Sequence, residues 1–495
     1  MAYKHGVYTG EIPTSIIPPV ETDAGLPVIF GTAPLHLASD PAKANRPVLC
    51  YSYAEAVAAF GYSDDWKDYT LCEAIYSQFA LYNRAPVVLV NVLDPKKHKK
   101  DEKNQSLTFT DGVAAIKDAV LLDTLKLKVA EAGEALGEND YTAAYDDNGV
   151  LIITALDTGK LKDVTAAFAD YTYLDPSAVT SADIIGGVDN VTNEKKGLET
   201  LNQVFPLTRL VPGIVMAPGW SHDPAVEAIM KAKAGNINEH FTALVLADIP
   251  CGEGGVTKYG DVPAWKNNHN YTGVNEAICW PMVKQGEKIY HMSTQLLGVI
   301  STIDSTDEDG VPYQSPSNKS MQIEGLCLED GSEVVMEPEQ ANYLNGQGIV
   351  TALNFIGGWK AWGNNTACYP ADTDAKDRFI PLRRMFNWHA ATFIQTYWQK
   401  VDNPTNRRLI DSVIDSENIR LNGLAAREVI LGGRVAFLES ENPKTSLLDG
   451  KVKFHTYFTP PIPAEDIENV IELTRYRLPG QPFQMIREGT YAKRT

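Results

Sequence analysis

The strongest constraint on this chain is a set of short, continuous apolar runs: Pro27–Gly31 (PVIFG), Ala85–Val92 (APVVLVNV), Gly213–Ala217 (GIVMA) and Phe241–Asp248 (FTALVLAD). A strand with one face in water alternates apolar and polar residues. A strand that is apolar throughout is buried on both faces, as in a parallel sheet covered by helices. The stretches between these runs carry helical signals. Ser52–Phe60 opens with a capping serine and stops at Gly61, and Tyr69–Asn83 places Leu71, Ile75 and Phe79 on one face. Gly197–Phe205 is a further helix, and Asp223 before Pro224 is an N-cap for Ala225–Ala234. A short strand is expected at Ile278–Val283, residues 301–325 read as loop, and Gln340–Ala352 contains the turn-forming Asn345-Gly346-Gln347-Gly348. This alternation predicts an α/β fold, a mixed and mostly parallel twisted sheet with flanking helices.

Two regions depart from that pattern. After Val92 the basic run Lys96-Lys97-His98-Lys99-Lys100 reads as a solvated loop at a boundary. Residues 101–185 are poorer in strong apolar residues, with short strands at Leu107–Thr110, Leu125–Val129 and Val150–Ala155 and a turn at Asp147-Asn148-Gly149. They read as an inserted small β-rich domain. Nearer the C-terminus, Leu382, Phe386, Ala390, Phe393 and Tyr397 share one helical face, and Asn403-Pro404 is the expected start of a second helix. The period then changes to two. Arg434–Glu439 and Lys451–Phe458 read as strands, the second with Val452, Phe454, Thr456 and Phe458 on one side, after a Leu448-Asp449-Gly450 turn. Pro460, Pro461 and Pro463 stop that strand, and Ile467–Leu473 is extended. Residues 1–25 are β-rich but broken by Pro13, Pro18 and Pro19, so they cannot form a central strand of their own sheet. The expected division is an N-terminal arm (1–25), an α/β core in two segments (26–95 and 186–370), the insert (96–185), a C-terminal core domain (371–464) and a C-terminal arm (465–495). No internal repeat is visible.

Composition narrows the function. A formal charge of −19, from 44 basic and 63 acidic residues, lacks the basic footprint of a nucleic-acid binder. No apolar run approaches the length of a membrane span, and the N-terminal Met-Ala-Tyr-Lys-His-Gly carries no apolar secretory region, so neither membrane insertion nor export by signal peptide is expected. Cys50, Cys72, Cys251, Cys279, Cys327 and Cys368 are scattered, which suits reduced, buried thiols. The chemistry-bearing residues do not assemble into a site. Ser221-His222-Asp223 brings triad residue types together in sequence, but neighbours on a turn cannot form the required relay, and capping accounts for Asp223. Gly252-Glu253-Gly254-Gly255 lacks both phosphate-binding fingerprints, and the histidines show no metal-binding spacing. No catalytic residue, cofactor or metal is expected. A structural protein is favoured, with an α/β hydrolase-like enzyme as the alternative.

Several stretches together resemble the tail sheath proteins of contractile bacteriophages, phage-tail-like bacteriocins and contractile injection systems. His5-Gly6-Val7-Tyr8-Thr9-Gly10-Glu11 is similar to that family's "PGVY-x-x-E" opening, and Val28–Thr32 followed by Ala54–Gly61 to its first strand and the segment ending in "FG". Leu344–Ile349, Trp362–Thr366 and Phe379–Arg384 resemble, in order, "LN-x-x-GI", "WG-x-RT" and the helix with paired arginines. Gly433, the Asp449-Gly450 turn and Pro460–Ile467 continue the series, whereas Asn364-Asn365 departs from the usual small residue and arginine. The resemblance implies a virion component, assembled in the host cytoplasm as stacked hexameric rings around an inner tail tube protein, with baseplate and tail terminator proteins as further partners. It implies contraction without a cofactor, and terminal arms that complete sheets in neighbouring copies. On that basis Val7, Tyr8, Thr9, Glu11, Ile12, Val452, Phe454, Ile467 and Ile471 are the expected strand-exchange residues, with the arms around Val7–Ile17 and Ile467–Ile486 pairing with the Arg434–Phe458 hairpin. Lys400, Arg407 and Arg408 are expected to face an acidic inner tube.

Overall fold

The computed structural model describes residues 24–146 and 148–471, and the expectations placed on residues 1–23 and 472–495 lie outside the described residues. The chain divides into two units, 1–462 and 463–495; of the second, residues 463–471 are described and contain neither helix nor strand.

The apolar runs form the centre of an eight-stranded sheet. Its order is Val48–Cys50, Val87–Asn91, Pro27–Gly31, Ile214–Met216, Leu244–Asp248, Glu276–Cys279, Ile349–Asn354 and Trp359–Trp362. The six inner strands run parallel, and each outermost strand pairs antiparallel with its neighbour. Pro27–Gly31, Val87–Asn91 and Leu244–Asp248 are buried at every position, as continuous apolar sequence requires. Helices Tyr53–Phe60 and Pro224–Ala234 start at their predicted caps: Ser52 accepts from the Glu55 amide at 3.2 Å and Asp223 from the Ala225 amide at 2.8 Å.

Where the structure differs, local chemistry explains most of it. The expected Ile278–Val283 strand is two strands, Glu276–Cys279 and Met282–Gln285, because Pro281 between them has no amide to donate to a ladder. The second joins a separate four-stranded antiparallel sheet. The Tyr69–Asn83 helix is an α-helix over Thr70–Ile75 that widens into a π-helical turn over Tyr76–Leu81. The stretch read as loop from 301 begins with the end of the Met292–Asp304 helix, and Gln340–Ala352 spans helix Pro338–Asn345 and strand Ile349–Asn354. Gly348 joins these two at φ +67°, and a Cβ there would lie 2.5 Å from the Thr366 carbonyl oxygen, so only glycine fits.

The insert holds two three-stranded antiparallel sheets. One is Lys99–Thr108, Ala166–Leu174 and Lys126–Lys128; the other is Val113–Ile116, Leu151–Ala155 and Tyr141–Tyr145. They enclose a hydrophobic cluster of their own, including Leu107, Leu127, Leu151, Ile153 and Leu161. The basic run is in part the expected solvated loop, with a turn over residues 95–97 and four exposed lysines, but acidic partners tie it down. Lys99 and Lys100 begin a strand, His98 is buried with Nδ1 accepting from the Asp94 amide at 2.9 Å, Lys97 pairs with Asp183, and Lys100 lies 2.8 Å from Asp175.

The C-terminal region contains helices Ile380–Tyr397 and Arg407–Ala426. The first buries Leu382, Arg384, Met385, Trp388, His389, Ala391 and Tyr397, whereas Phe386 and Phe393 are half-buried and Ala390 is exposed. The apolar stripe read from sequence thus lies partly to one side of the real contact face. Arg384 and His389 sit in that face, and a count of apolar residues alone passes over them. The second helix begins later than expected: Asn406, not Asn403, is the cap and accepts from the Leu409 amide at 2.9 Å.

Arg384 joins the first of these helices to helix Met292–Asp304 and to the segment that leads into strand Pro27–Gly31. It is 2% exposed, its Nη1 donates to Asp304 Oδ1 at 3.0 Å, its Nη2 pairs with the other carboxylate oxygen, and Nη2 also donates to the Ala24 carbonyl at 3.3 Å. Asp304 ends the Met292–Asp304 helix, so this fork ties together three segments distant in sequence. Arg427 repeats the device on the surface, 2.5 Å from Asp309. Removing one member of a buried pair leaves an uncompensated charge. Arg384→Ala should therefore lower stability in urea denaturation by about 3–5 kcal/mol; a loss under about 1 kcal/mol would show that the carboxylate finds other partners.

Candidate assembly interface

The two helices carry a ribbon of two antiparallel strands, Gly432–Ala436 and His455–Thr459, in register from Gly432 opposite Thr459 to Ala436 opposite His455. The expected strands were longer, and Asn442 explains the difference. Its side chain accepts from the Lys453 amide at 2.7 Å and donates to the carbonyls of Lys453 at 2.8 Å and Leu438 at 2.9 Å. It thereby takes the place of the ladder bonds that would have extended the pairing. The connection between the strands holds a short helix, Lys444–Leu448, before Asp449 and Gly450.

A two-stranded ribbon is marginal alone, so its stability comes from the helices beneath it. Val435 is buried, Phe458 stacks on His389 with ring centroids 4.8 Å apart, and Phe454 lies 6.3 Å from Phe393. His389 is fixed from behind: its Nδ1 accepts from Arg420 Nη2 at 2.8 Å, and Glu417 holds that guanidinium. Burial, and then the charge of Arg420, push His389 down to about 4. It is therefore a neutral stacking surface at neutral pH.

The sheet edges differ in how they are kept from another chain. The eight-stranded sheet ends on one side in a strand of only three residues, Val48–Cys50. On the other side Trp359–Trp362 is covered by residues 318–321, with bonds such as Met321 N–H to Trp359 O at 3.0 Å. The insert's long edge strand, Lys99–Thr108, is lined with charge and is exposed at most positions. These are common ways of keeping an edge from recruiting another chain. Among the described residues, no third strand pairs with the ribbon. Apolar side chains stand exposed around it, with Leu431 69% and Leu448 86% accessible.

The expected exchange residues fall as follows. Val452 is half-buried just ahead of the second strand, and Phe454 packs on the helices. Ile467 and Ile471 are exposed, and Val7, Tyr8, Thr9, Glu11 and Ile12 lie outside the described residues. Lys400 closes the turn Trp398–Lys400, and Arg407 and Arg408 are exposed in the first turn of the second helix. Two cations there oppose the positive end of the helix dipole, and Arg407 has one local partner, Asp411 at 3.6 Å.

No family model matches the chain. The tail sheath protein of Burkholderia phage BcepMu is 29% identical over 485 residues, covering 95% of this chain and 97% of that protein. A putative prophage major tail sheath protein of Pseudomonas aeruginosa (strain UCBPP-PA14) is 25% identical over 309 residues, 60% of this chain and 74% of that protein. Along nearly its whole length the chain is similar to contractile tail sheath proteins. The fold agrees: the sheath of an extracellular contractile injection system in its contracted state superposes with a TM-score of 0.55 at 13% identity, over 96% of this chain and 98% of the other.

Sheath proteins are structural and not enzymes, which sets aside the hydrolase-like alternative. The side chains are occupied accordingly. Ser221 is 1% exposed and accepts from the Asp248 amide at 3.2 Å, while Asp223 caps its helix. The carboxyl end of strand Leu244–Asp248 is where α/β enzymes place ligands. Here the polar groups bond one another: Asp248 accepts from the Ser293 amide and hydroxyl, and Glu73 Oε2 lies 2.7 Å from His291 Nδ1. Burial alone would lower His291, but Glu73 outweighs it and raises the imidazole to about 9. The six cysteines are buried and unpaired. Among the described residues no helix is long and apolar enough to cross a membrane, and no group of His, Cys, Asp or Glu could hold a metal ion.

The sheath motifs meet in space. Thr366 donates its hydroxyl to the Asp377 carbonyl at 2.8 Å, and Asn365, standing where the family pattern has arginine, accepts from Arg378 Nε at 3.0 Å. This joint aims the helix that carries the ribbon.

Protonation of His389 would place a second positive charge against Arg420. Because its folded value lies below the ordinary 6.5, its cost is absent above that pH and grows as pH falls towards 4. The full effect is on the order of 3 kcal/mol. His389→Gln should therefore reduce the loss of melting temperature between pH 7 and pH 4 relative to the unsubstituted chain; parallel curves would contradict the assignment.

Proposed function

We propose that this chain is a tail sheath subunit that polymerises as stacked hexameric rings around an inner tail tube and contracts to drive the tube through a bacterial envelope. The observation that carries this reading is the ribbon edge left unpaired among the described residues of a chain similar to tail sheath proteins, whose N-terminal sequence is β-rich but broken by prolines. A strand donated by another copy satisfies the edge through backbone bonds, which hold register while flanking loops bend. Rings linked in this way stay connected as the rigid bodies between them repack. The charge of −19 suits a chain kept soluble at high concentration before it assembles.

In this reading residues 1–25 and 465–495 are the exchanged arms, residues 26–95, 186–370 and 371–464 are the load-bearing bodies, and the insert lies on the outside. Val7, Tyr8, Thr9, Glu11, Ile12, Ile467 and Ile471 contribute the donated strands, and Val452 and Phe454 belong to the acceptor. Lys400, Arg407 and Arg408 face an acidic tube surface. The two arginines stand against the helix dipole, which disfavours cations at that end by about 0.3–1 kcal/mol each, and an acidic partner offsets that cost. Baseplate and terminator proteins bound the polymer at its two ends, and the assembled product is part of a virion or a related tail structure.

Deletion of residues 1–20 should leave a folded, soluble monomer that forms no tubes in negative-stain microscopy; tubes of normal appearance would refute arm exchange. The triple reversal Lys400→Glu, Arg407→Glu and Arg408→Glu should leave sheath polymers intact but without tube inside them; unchanged co-assembly would remove these residues from the tube contact.

A further inference from the structure

The ribbon has two long edges, and they are not equivalent. Helix Arg407–Ala426 lies against strand Gly432–Ala436, and from it Asn418 turns its side-chain amide to the backbone of Val435. Asn418 Oδ1 accepts from the Val435 amide at 2.8 Å, and Asn418 Nδ2 donates to the Val435 carbonyl at 3.2 Å. A residue of an adjacent strand would make this same pair of bonds. They also fix the direction in which the backbone points. Since the Val435 amide and carbonyl are turned towards the helix, they face away from the partner strand. Val435 and Thr456, opposite each other in the register, are then a non-hydrogen-bonded pair, and by alternation so are Gly433 and Phe458. The amides and carbonyls of Thr456 and Phe458 therefore point out of the other edge of the ribbon. No strand pairs there among the described residues. The side chain of Phe458 is meanwhile turned onto His389, so that edge presents its backbone while its large apolar group stays anchored beneath.

We infer that Asn418 closes the Gly432–Ala436 edge and that the strand donated by a second copy of this chain enters on the His455–Thr459 edge, bonded to Thr456 and Phe458. This rests on the strand-addition reading and makes it directional. A ribbon open on both sides could take the donated segment on either one, and a copy attached to the wrong side would not continue the same lattice. One asparagine makes the two sides unlike, because adding a strand at Val435 would first require breaking two bonds already made. The acceptor side carries no such plug, so a donated backbone gains bonds there without displacing any that the described residues make. Asn418 thus acts through Val435 as a positioning residue for assembly.

The test is hydrogen–deuterium exchange at single-amide resolution on the full chain, as monomer and as assembled polymer, repeated on Asn418→Ala monomer. Assembly should slow exchange at Thr456 and Phe458 by roughly 100-fold or more, as newly bonded amides do. Val435 should be protected in both states of the unsubstituted chain and should exchange faster in the Asn418→Ala monomer. If Gly433 gains protection on assembly and Thr456 and Phe458 do not, the strand enters on the opposite edge; the inference is then overturned while arm exchange stands. If no ribbon amide gains protection in a well-formed polymer, arm exchange falls as well. Val435 remaining protected in Asn418→Ala would show that another group closes that edge, which also overturns the inference.

Discussion

A strand edge with unpaired amides and carbonyls is either blocked or filled, and the proposed assembly turns on which edges of this chain are left for filling. Backbone groups cost free energy when they are shielded from water without partners, and in water they remain a template for any chain that matches them. The large sheet ends in a short strand and a covered one, and the insert's long edge is charged. The small ribbon near the C-terminus has an edge with which no strand pairs among the described residues. The remainder of the molecule can be understood as the scaffold that holds this edge in place.

That scaffold is stiff where it supports the ribbon. Phe458 rests on a histidine that burial and a neighbouring arginine keep neutral. The helix bearing that histidine is bound to helix Met292–Asp304 through the buried Arg384–Asp304 fork, and it starts from the joint where Asn365 and Thr366 meet residues 377 and 378. Arg427 adds a partly exposed contact to the same acidic loop. A load applied at the ribbon therefore reaches the eight-stranded sheet through directional polar contacts as well as through apolar packing.

The parts legible in the sequence were those fixed by local chemistry. Apolar runs buried on both faces marked the inner strands, and Ser52 and Asp223 marked helix starts correctly because capping depends on residues three or fewer positions away. The family resemblance rested on motifs that prove to touch one another: Gly348, Thr366 and the helix with paired arginines. What escaped was set by distant partners. The face of the Ile380–Tyr397 helix was misplaced because a buried arginine and histidine lie in it, and nothing local marks Arg384 as the partner of Asp304. The strands of the ribbon were drawn too long because Asn442 interrupts their pairing from within the connection. Asn418 carried no signal beyond being a polar residue in a helix; its role appears only when Val435 is seen beside it. The ion pairs of the basic run at 96–100 escape a sequence reading because its acidic partners, Asp175 and Asp183, lie more than seventy residues onward.

The central claim is that a copy of this chain is finished by its neighbours. The most direct measurement is a cryo-electron microscopy reconstruction of the assembled polymer at a resolution that traces the backbone. The account predicts continuous density for a strand that lies along the ribbon and leads, when followed, into a different copy. Terminal segments that both fold back onto their own subunit, leaving the ribbon two-stranded within the lattice, would contradict it.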